Sequence, residues 1–541
     1  MTAAALLADA GVGARVRPAP VNKWVVTISI AFGAIMAAID TSIVNVALPQ
    51  IRGSLGATIE EITWISTAYI IAMVLVMPLT GFLGSFFGQK QVYVLSLLLF
   101  VAGSALCGVA RSLPALVAYR ALQGFGAGAL QPTQQAILRQ TFPPKEQGMA
   151  MAMFAMVIMV GPAVGPTLGG YIVDHYSWQW IFYINLPVGV VGTLLTLRFV
   201  HEPEDVIIAN RARAELQKKN LDVAGIVLMC VGVSTLQYVL EEGQREDWFD
   251  SPLISALSFV AAVSLCAFVI RELTAKAPVV NLRMFRDRTF ASATIIGGVM
   301  YAMLVGSMFL LPVFMQEVLG FDATQSGLTL MPRTLAMMVL TPLIGKLYNR
   351  VPPALTVGLG AVLFVVGSYQ LSHITLQSGS PDIILPLIVT GFGFACLFIP
   401  LTTAALTFVS RTELGDAAGL NSFIRQIGGS FGLTIFATLL STFSKRATAS
   451  VSWNVTDLRP DVVLRLEQLV RGLQAQGFGP VEAKQTALRA LAGSVARQGS
   501  VLGFEKTFLV QGVAFVAVLP LLFFLRVGTA KKAEHIDLSM E

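Results

Sequence analysis

Apolar runs about as long as a lipid bilayer is thick account for most of this chain. A membrane-spanning helix needs about 20 mostly apolar residues. The fourteen predicted spans are 24–48, 61–83, 91–110, 113–138, 147–173, 178–198, 221–241, 251–270, 290–315, 325–347, 353–372, 383–408, 417–441 and 507–525. Only 13% of the 541 residues are charged, against about 25% in soluble domains. These runs predict an all-α polytopic membrane protein, because a helix satisfies its own backbone hydrogen bonds in lipid.

The basic residues favour one side of the predicted bilayer. With the N-terminus in the cytoplasm, the inner segments hold 22 lysines and arginines, and the short outer loops hold three. Loops on the cytoplasmic side carry such an excess. We therefore predict that both termini are cytoplasmic.

Two parts of the chain repeat each other weakly. Pro-Leu-x-Gly-x-Leu begins at Pro78 and again at Pro342, an offset of 264 residues. Gly-Phe-Gly followed by a proline begins at Gly124 and recurs at an offset of 267. Two parallel six-helix bundles are a known transporter plan, with substrate bound between them. The predicted division is a cytoplasmic tail 1–23, a bundle 24–200, linkers with two extra spanning helices 201–289, a second bundle 290–526 that contains an outer helical hairpin at 442–504, and a cytoplasmic tail 527–541.

Four charged residues lie inside apolar runs. Asp40 is in the first run, where an ionised carboxylate costs about 2.5–3.5 kcal/mol by insertion scales. We predict that Asp40 carries protons; the alternative is a helix-packing hydrogen bond to a neighbour such as Asn45. Arg120 and Arg425 are predicted to face inward and to tune Asp40 or hold an anion, although Arg120 could instead reach the outer interface. Arg333 is predicted to bind substrate.

Methionine and aromatic side chains predict an adaptable, largely apolar cavity between the bundles. The candidate substrate-binding residues besides Arg333 are Trp64, Tyr69, Met73, Met156, Tyr301, Met303, Phe309, Phe314, Phe398 and Phe423. The alternative for each of them is contact with lipid.

Glycines and prolines are concentrated in the fifth span, which reads GPAVGPTLGG at 161–170. Glycines allow helix backbones to approach closely, and prolines kink helices. These residues predict a tightly packed interface or a gate. The candidate gating and packing residues are Gly124, Gly161, Pro162, Gly165, Pro166, Gly169 and Gly170.

These motifs resemble those of the major facilitator superfamily, and within it the fourteen-helix drug:proton antiporters of the EmrB type. The stretch 40–49 resembles the motif of the family's first span, Arg120-x-x-Gln123-Gly124 that of the fourth span, and 161–170 that of the fifth. The resemblance implies the major facilitator fold, an inner-membrane location, and export of amphiphilic or hydrophobic drugs in exchange for protons. It also implies a tripartite pump with a periplasmic membrane-fusion adaptor and an outer-membrane channel as partners.

One motif departs from the family pattern. The loop between the second and third spans, 81–90, lacks the aspartate and both arginines that members usually have there. A charge latch built from this loop is therefore not expected at the cytoplasmic face.

Several functions lack sequence support. No Gly-x-x-x-x-Gly-Lys-Ser/Thr loop is present, so the chain is not expected to hydrolyse ATP. The four cysteines lie singly in apolar runs and the four histidines are scattered, so we predict no metal, no cofactor and no enzyme activity. The basic residues follow the membrane pattern and predict no nucleic-acid partner. The remaining alternatives are a specific exporter of an endogenous lipid or amphiphile, and a non-transporting scaffold or sensor.

The outer segment contains two amphipathic stretches, 460–476 and 481–498, on either side of the turn 477–480. Apolar residues recur at steps of three and four, which is typical of a helix with one apolar face. They are Val463, Leu466, Val470 and Leu473, then Ala487, Leu488, Leu491 and Val495. This hairpin either docks the adaptor or buries its apolar stripe against itself and the bundle.

Overall fold

A computed structural model describes residues 22–525 apart from 276, 349 and 457, and leaves out the side chains of 59, 144, 162, 163, 166 and 323. Almost all of the two predicted tails lies outside the described residues. Within the described part, the regular elements are all helical.

The first bundle follows the predicted spans closely. Its helices are α1 (Lys23–Leu55), α2 (Ile59–Val76), α3 (Thr80–Phe87), α4 (Gln89–Val109), α5 (Leu113–Thr141), α6 (Gln147–His175), α7 (Trp180–Tyr183) and α8 (Asn185–Phe199). The predicted second span is interrupted by a 3-10 turn at Met77–Leu79, because Pro78 has no backbone N–H to donate. The predicted sixth span is divided into α7 and α8.

The connecting region adds a helix that the sequence reading did not include. Its helices are α9 (Glu204–Lys219), α10 (Val223–Glu242) and α11 (Pro252–Thr274). The polar α9 packs against α3 of the first bundle and against the 3-10 turn Arg411–Glu413 of the second. The extra spans differ in their surroundings: α10 packs on α2, whereas α11 leaves Phe259 71% and Ile270 65% exposed. Such side chains are suited to lipid.

The second bundle ends in two long helices. Its helices are α12 (Arg288–Val313), α13 (Ala323–Leu347), α14 (Pro353–Leu371), α15 (Ser380–Ala405), α16 (Leu414–Ser452), α17 (Pro460–Ala475) and α18 (Pro480–Val516). Predicted span 417–441 is only part of α16, and predicted span 507–525 covers the end of α18 and the 3-10 turn Leu519–Phe524. The two helices remain packed beyond those spans, since Gly499 and Gly503 of α18 lie against Thr448 and Ser444 of α16.

The segment 460–498 forms a helical hairpin, in which α17 packs against the first part of α18. The predicted stripe of α17 is half-buried in this contact. On α18, Ala483 and Ala487 are buried, whereas Leu488, which we placed in the stripe, is 47% exposed. The small alanines occupy the close contact, which turns Leu488 outward.

Each of the fourteen predicted spans overlaps a helix, but twelve helices of the described part are long and apolar enough to span a membrane. α5 and α6 are the other two. α5 carries five glutamines and two arginines, and α6 is apolar over Gln147–Gly161. The number of fourteen spans therefore stays a prediction.

The two bundles repeat one packing contact. Gly124 of α5 lies so close to the backbone oxygen of Tyr69 that a side chain would not fit. Gly391 of α15 lies in the same way against the backbone oxygen of Arg333. Tyr69 and Arg333 are 264 residues apart, the offset found in the sequence. The two bundles thus share this packing contact, whereas their exact limits stay a prediction.

Candidate functional site

Asp40 lies at a fully buried position on α1, with no part of its side chain exposed. Its Oδ2 accepts a hydrogen bond from Arg120 Nη1 at 2.7 Å. Its Oδ1 accepts from Gln123 Nε2 at 2.8 Å and from Asn185 Nδ2 at 3.1 Å. This carboxylate is paired with a guanidinium and isolated from lipid.

Arg120 is held by the same cluster and is only 2% exposed. Its Nη1 also donates to Gln123 Oε1 at 2.7 Å, and its Cζ lies 4.2 Å from the centre of the Tyr69 ring. A guanidinium over an aromatic face is attracted by the ring's charge distribution. The side chain therefore points into the bundle rather than to the membrane interface.

The local sequence explains how these groups meet. Arg120 and Gln123 are three residues apart on α5, so they share one face of the helix. Asn185 begins α8, directly after the break in the sixth span, and Ser104 accepts its second hydrogen bond at 3.1 Å. Sequence reasoning missed Asn185, although it is a polar residue inside the predicted sixth span, 178–198.

In the structure, the side chain of Asp40 forms no hydrogen bond to the side chains of its described neighbours on α1, which was the alternative role. Asn45 Nδ2 instead donates to the backbone oxygen of Thr41 at 3.3 Å. Ser42 Oγ lies 3.0 Å from the backbone oxygen of Gly161. The partners of Asp40 come from α5 and α8, so its ion pair depends on how these helices are placed.

The glycines of α6 lie against α1 on both sides of Asp40. A Cβ at Gly161 would overlap the backbone of Ala38, and one at Gly165 would overlap Ser42. Gly169 lies against Ile43, whereas Gly170 faces open space. The side chains of the other two motif residues, Pro162 and Pro166, lie outside the described residues.

Arg425 is the centre of a second polar site, on α16. Its Nη1 donates to Thr402 Oγ1 at 2.9 Å, and its Cζ lies 4.2 Å from the Phe398 ring centre and 5.7 Å from that of Tyr301. The structure thus brings together three predicted residues. It does not bring Arg425 to Asp40, whose ion-pair partner is Arg120.

Arg333 is 3% exposed on α13. Its Nη1 donates to Ser307 Oγ at 3.1 Å, while Nε and Nη2 have no hydrogen-bond partner among the described residues. Within the described part, neither Arg333 nor Arg425 has a carboxylate at ion-pair distance. Arg120 is therefore paired with a carboxylate, whereas Arg333 and Arg425 of the second bundle, like Arg139 at the end of α5, have none among the described residues.

The other candidate substrate residues do not form one cluster. Trp64 is 37% exposed and its ring lies 5.7 Å from that of Tyr238 on α10. Phe314 packs on Phe504 of α18, with 5.0 Å between ring centres. Phe423 is half-buried and packs against the cores of both bundles.

The four methionine and phenylalanine candidates that remain are spread over three helices. Met73 is buried in the core of the first bundle, and the backbone oxygen of Met303 accepts from Gln511 of α18 at 2.7 Å. Met156 and Phe309 are half-buried. Substrate binding by these residues stays a prediction.

The two bundles meet at the predicted cytoplasmic end. Gln135 Nε2 donates to Ser422 Oγ at 3.3 Å, and Gln140 Nε2 donates to the backbone oxygen of Arg411 at 3.4 Å. Among the described residues, these are the hydrogen bonds that join the two predicted bundles directly. The passage between the bundles is therefore closed at this end.

An ion pair also lies at this end, although not in the loop 81–90. Asp416, at the start of α16, is paired with Arg213 of α9, and its carboxylate lies against Gly81. Ser85 Oγ donates to Gln217 Oε1 of α9 at 2.5 Å. Helix α9 thus ties the first bundle to the second where the loop lacks its usual charges.

Comparison with known proteins identifies the family. Residues 30–433 match the model of the Major Facilitator Superfamily. The chain belongs to the Major Facilitator Superfamily. It is 32% identical to the multidrug export protein EmrB of Escherichia coli K12 over 502 residues, which cover 92% of this chain and 94% of that protein. It is 31% identical to the fatty acid resistance protein FarB of Neisseria gonorrhoeae over 500 residues, 92% and 95% of the two chains. The resemblance to the EmrB type is thereby confirmed.

Solved structures show the same fold at low sequence identity. The proton:xylose symporter XylE superposes with a TM-score of 0.61 and 12% identity, over 93% of this chain and 96% of that one. The human organic anion transporter MFSD10 gives a TM-score of 0.60 and 14% identity, over 94% and 100%. The predicted all-α, polytopic major facilitator fold is therefore confirmed.

The glycine contacts beside Asp40 predict a position-specific effect. Gly161→Ala should reduce transport at least about tenfold, because the added methyl group overlaps α1 and overpacking costs about 1–3 kcal/mol. Gly170→Ala, on the same helix, should transport like the parent, since its Cβ meets open space. Transport by both variants is measured in vesicles at equal protein content. Equal rates for the two variants would contradict the assignment.

The Arg213–Asp416 pair predicts a reversible change in opening at the predicted cytoplasmic end. Arg213→Glu should increase labelling of a cysteine introduced at Ser422, because like charges then face each other across the closed end. The exchanged pair Arg213→Glu with Asp416→Arg should restore low labelling. The same charge reversal at exposed Arg211 of α9 is the control. If the exchanged variant were labelled as strongly as Arg213→Glu, the Arg213–Asp416 ion pair would not be what holds this end closed.

Proposed function

We propose that this protein is a proton-coupled antiporter that exports amphiphilic or hydrophobic compounds, with Asp40 as the residue that takes up and releases the proton. The observation that carries the proposal is the buried ion pair of Asp40 with Arg120 at 2.7 Å. Protonation of Asp40 abolishes the pair and leaves a buried guanidinium without its anion, which is strongly unfavourable. The protonated state therefore favours a different arrangement of α1 and α5.

The contacts of α1 connect this titration to movement. The glycines of α6 lie against α1 at Ala38 and Ser42, on either side of Asp40. A close backbone contact without side chains allows α1 to shift against α6 with little steric resistance. A change in the charge of Asp40 can thus be transmitted to the packing of the first bundle.

The membrane potential provides enough energy for this transport. One charge that crosses 100 mV contributes about 2.3 kcal/mol. This energy corresponds to roughly a fiftyfold concentration gradient of substrate. The chain has no nucleotide-binding loop, which supports an ion gradient as the energy source.

The names of the relatives support an amphiphilic substrate class. One relative is named for multidrug export and another for fatty acid resistance. A specific exporter of an endogenous lipid or amphiphile is the alternative within this class. The aromatic surroundings of Arg425 suit either substrate.

We further propose that the hairpin α17–α18 faces the periplasm and docks an adaptor of a tripartite pump in the inner membrane. Large apolar side chains are exposed at both ends of α17: Trp453 is 83% and Leu458 92% exposed before it begins, and Val481 is 73% exposed just after the turn 477–480. Exposed apolar surface is typical of interaction sites. Burial of the stripe within the hairpin leaves these three residues free for a partner.

Asp40→Asn is expected to abolish uphill transport while leaving substrate exchange. Asparagine has the same shape but cannot ionise, so substrate binding and folding should persist. The measurement is proton-driven uptake into inverted vesicles, alongside exchange of labelled for unlabelled substrate without a gradient.

Asp461→Asn, which makes the same chemical change on the exposed start of α17, is the control and should retain both activities. Undiminished uphill transport by Asp40→Asn would exclude Asp40 as the proton carrier.

Replacement of 456–500 by a short Gly/Ser linker tests the hairpin. Docking predicts that cells lose drug resistance while purified protein in liposomes keeps proton-driven transport, because no adaptor is present there. The double variant Trp453→Ser/Leu458→Ser should behave in the same way without deleting the helices. Loss of transport in liposomes would instead indicate a structural role for the hairpin.

A further inference from the structure

Arg425 of the second bundle differs from Arg120 of the first in having no carboxylate beside it among the described residues. In the first bundle, Arg120 is neutralised by Asp40. In the second, Arg425 is 7% exposed, keeps its charge as arginines do in proteins, and donates to the neutral hydroxyl of Thr402. The site therefore contains a buried cation whose anion the described part of the chain does not supply.

The place of Arg425 makes it accessible to a ligand between the bundles. Ser422, three residues earlier on α16, bonds to Gln135 of the first bundle at the closed end. Phe423 packs against the cores of both bundles. Arg425 thus lies one helical turn above the closed contact, on the helix that lines the interface between the bundles.

The walls of the site are apolar and aromatic. The Phe398 ring lies 4.2 Å and the Tyr301 ring 5.7 Å from the guanidinium carbon. Gly297 of α12 leaves room beside the arginine, since a Cβ there would come no closer than 3.7 Å to its side chain. An arginine fork between aromatic faces suits a head group that is anionic and is attached to an apolar body.

We propose that Arg425, oriented by Thr402, binds the acidic head group of amphiphilic substrates, so that carboxylates and sulfonates with an apolar chain are substrates of this protein. This inference rests on the proposed export function and adds the sign of the substrate charge. Two other buried arginines lack a carboxylate partner among the described residues. Arg139 donates to the amide oxygen of Gln147, and the free Nε and Nη2 atoms of Arg333 are fully enclosed, whereas Arg425 lies beside residues that contact both bundles.

The test uses two tritiated probes, decanesulfonate and decyltrimethylammonium, which share a ten-carbon chain and differ in the sign of the head group. Binding is measured on purified protein by scintillation proximity, and proton-driven uptake on liposomes of phosphatidylethanolamine and phosphatidylglycerol. Arg425→Gln should weaken decanesulfonate binding by at least about tenfold, which is the loss expected for one charge-assisted hydrogen-bond pair. Its affinity for decyltrimethylammonium should be unchanged or increased.

Three further variants complete the design. Arg425→Lys should retain part of the decanesulfonate affinity, because the charge remains and the fork is lost. Thr402→Val should give a smaller loss with the same selectivity, and it tests the site even where Arg425→Gln does not fold. Arg211→Gln, which makes the same change on the exposed surface of α9, should bind both probes like the parent.

The outcomes separate the two proposals. Parent protein that exports decyltrimethylammonium but neither binds nor exports decanesulfonate would overturn this inference and leave export intact. Parent protein that exports neither probe against a proton gradient would contradict the proposed function, while binding of decanesulfonate through Arg425 would still support the site. An equal loss of both probes in Arg425→Gln, or a selective loss in Arg333→Gln alone, would overturn the assignment to Arg425.

Discussion

The buried pair of Asp40 and Arg120 is the interaction on which the arrangement of the first bundle depends. Either charge alone in lipid costs several kcal/mol, so each helix that supplies a partner is bound to the others. The pair and its two amide partners come from α1, α5 and α8. One carboxylate thus joins three helices of this bundle, in addition to the close glycine contacts between α1 and α6.

The second bundle has the same helical plan without the same charges. Gly124 and Gly391 show that its helices approach in the same way. Arg333 occupies the position in the repeat that Tyr69 has in the first bundle, where Tyr69 lies over the paired Arg120. An aromatic face contributes about 2 kcal/mol or more to a desolvated cation, which is less than the cost of burying an unpaired one. Arg333 and Arg425 therefore lack the compensation that Asp40 gives to Arg120.

The sequence predicted the membrane fold and the identity of the costly residues, but not all of their partners. Apolar length and the price of charge in lipid are local properties, so the spans, Asp40 and Arg120 could be read from the chain. Asn185 could not, because an amide at a helix start has many ordinary uses and only the break between α7 and α8 turns it towards Asp40. The ring contacts of Arg425 could not be predicted either. They depend on how α12, α15 and α16 cross in space, and the spacing of residues along the chain does not determine that.

The loop 81–90 lacks several of the usual charges, and the ion pair at the same end of the bundle is formed by residues far away in the sequence. Such a pair cannot be predicted from the loop's own sequence. The loop has neither the aspartate nor the arginines of the family pattern. At the same end of the bundle, Asp416 forms an ion pair with Arg213 of α9. Helix α9 is polar over most of its length, so its residues looked like an ordinary linker. Because the pair joins α9 to the second bundle while Gln217 joins α9 to Ser85 of the first, a movement that separates the two bundles must break or stretch one of these contacts. Separation of the bundles at the predicted cytoplasmic end is therefore resisted by contacts of the linker helix, in addition to those between the bundles themselves.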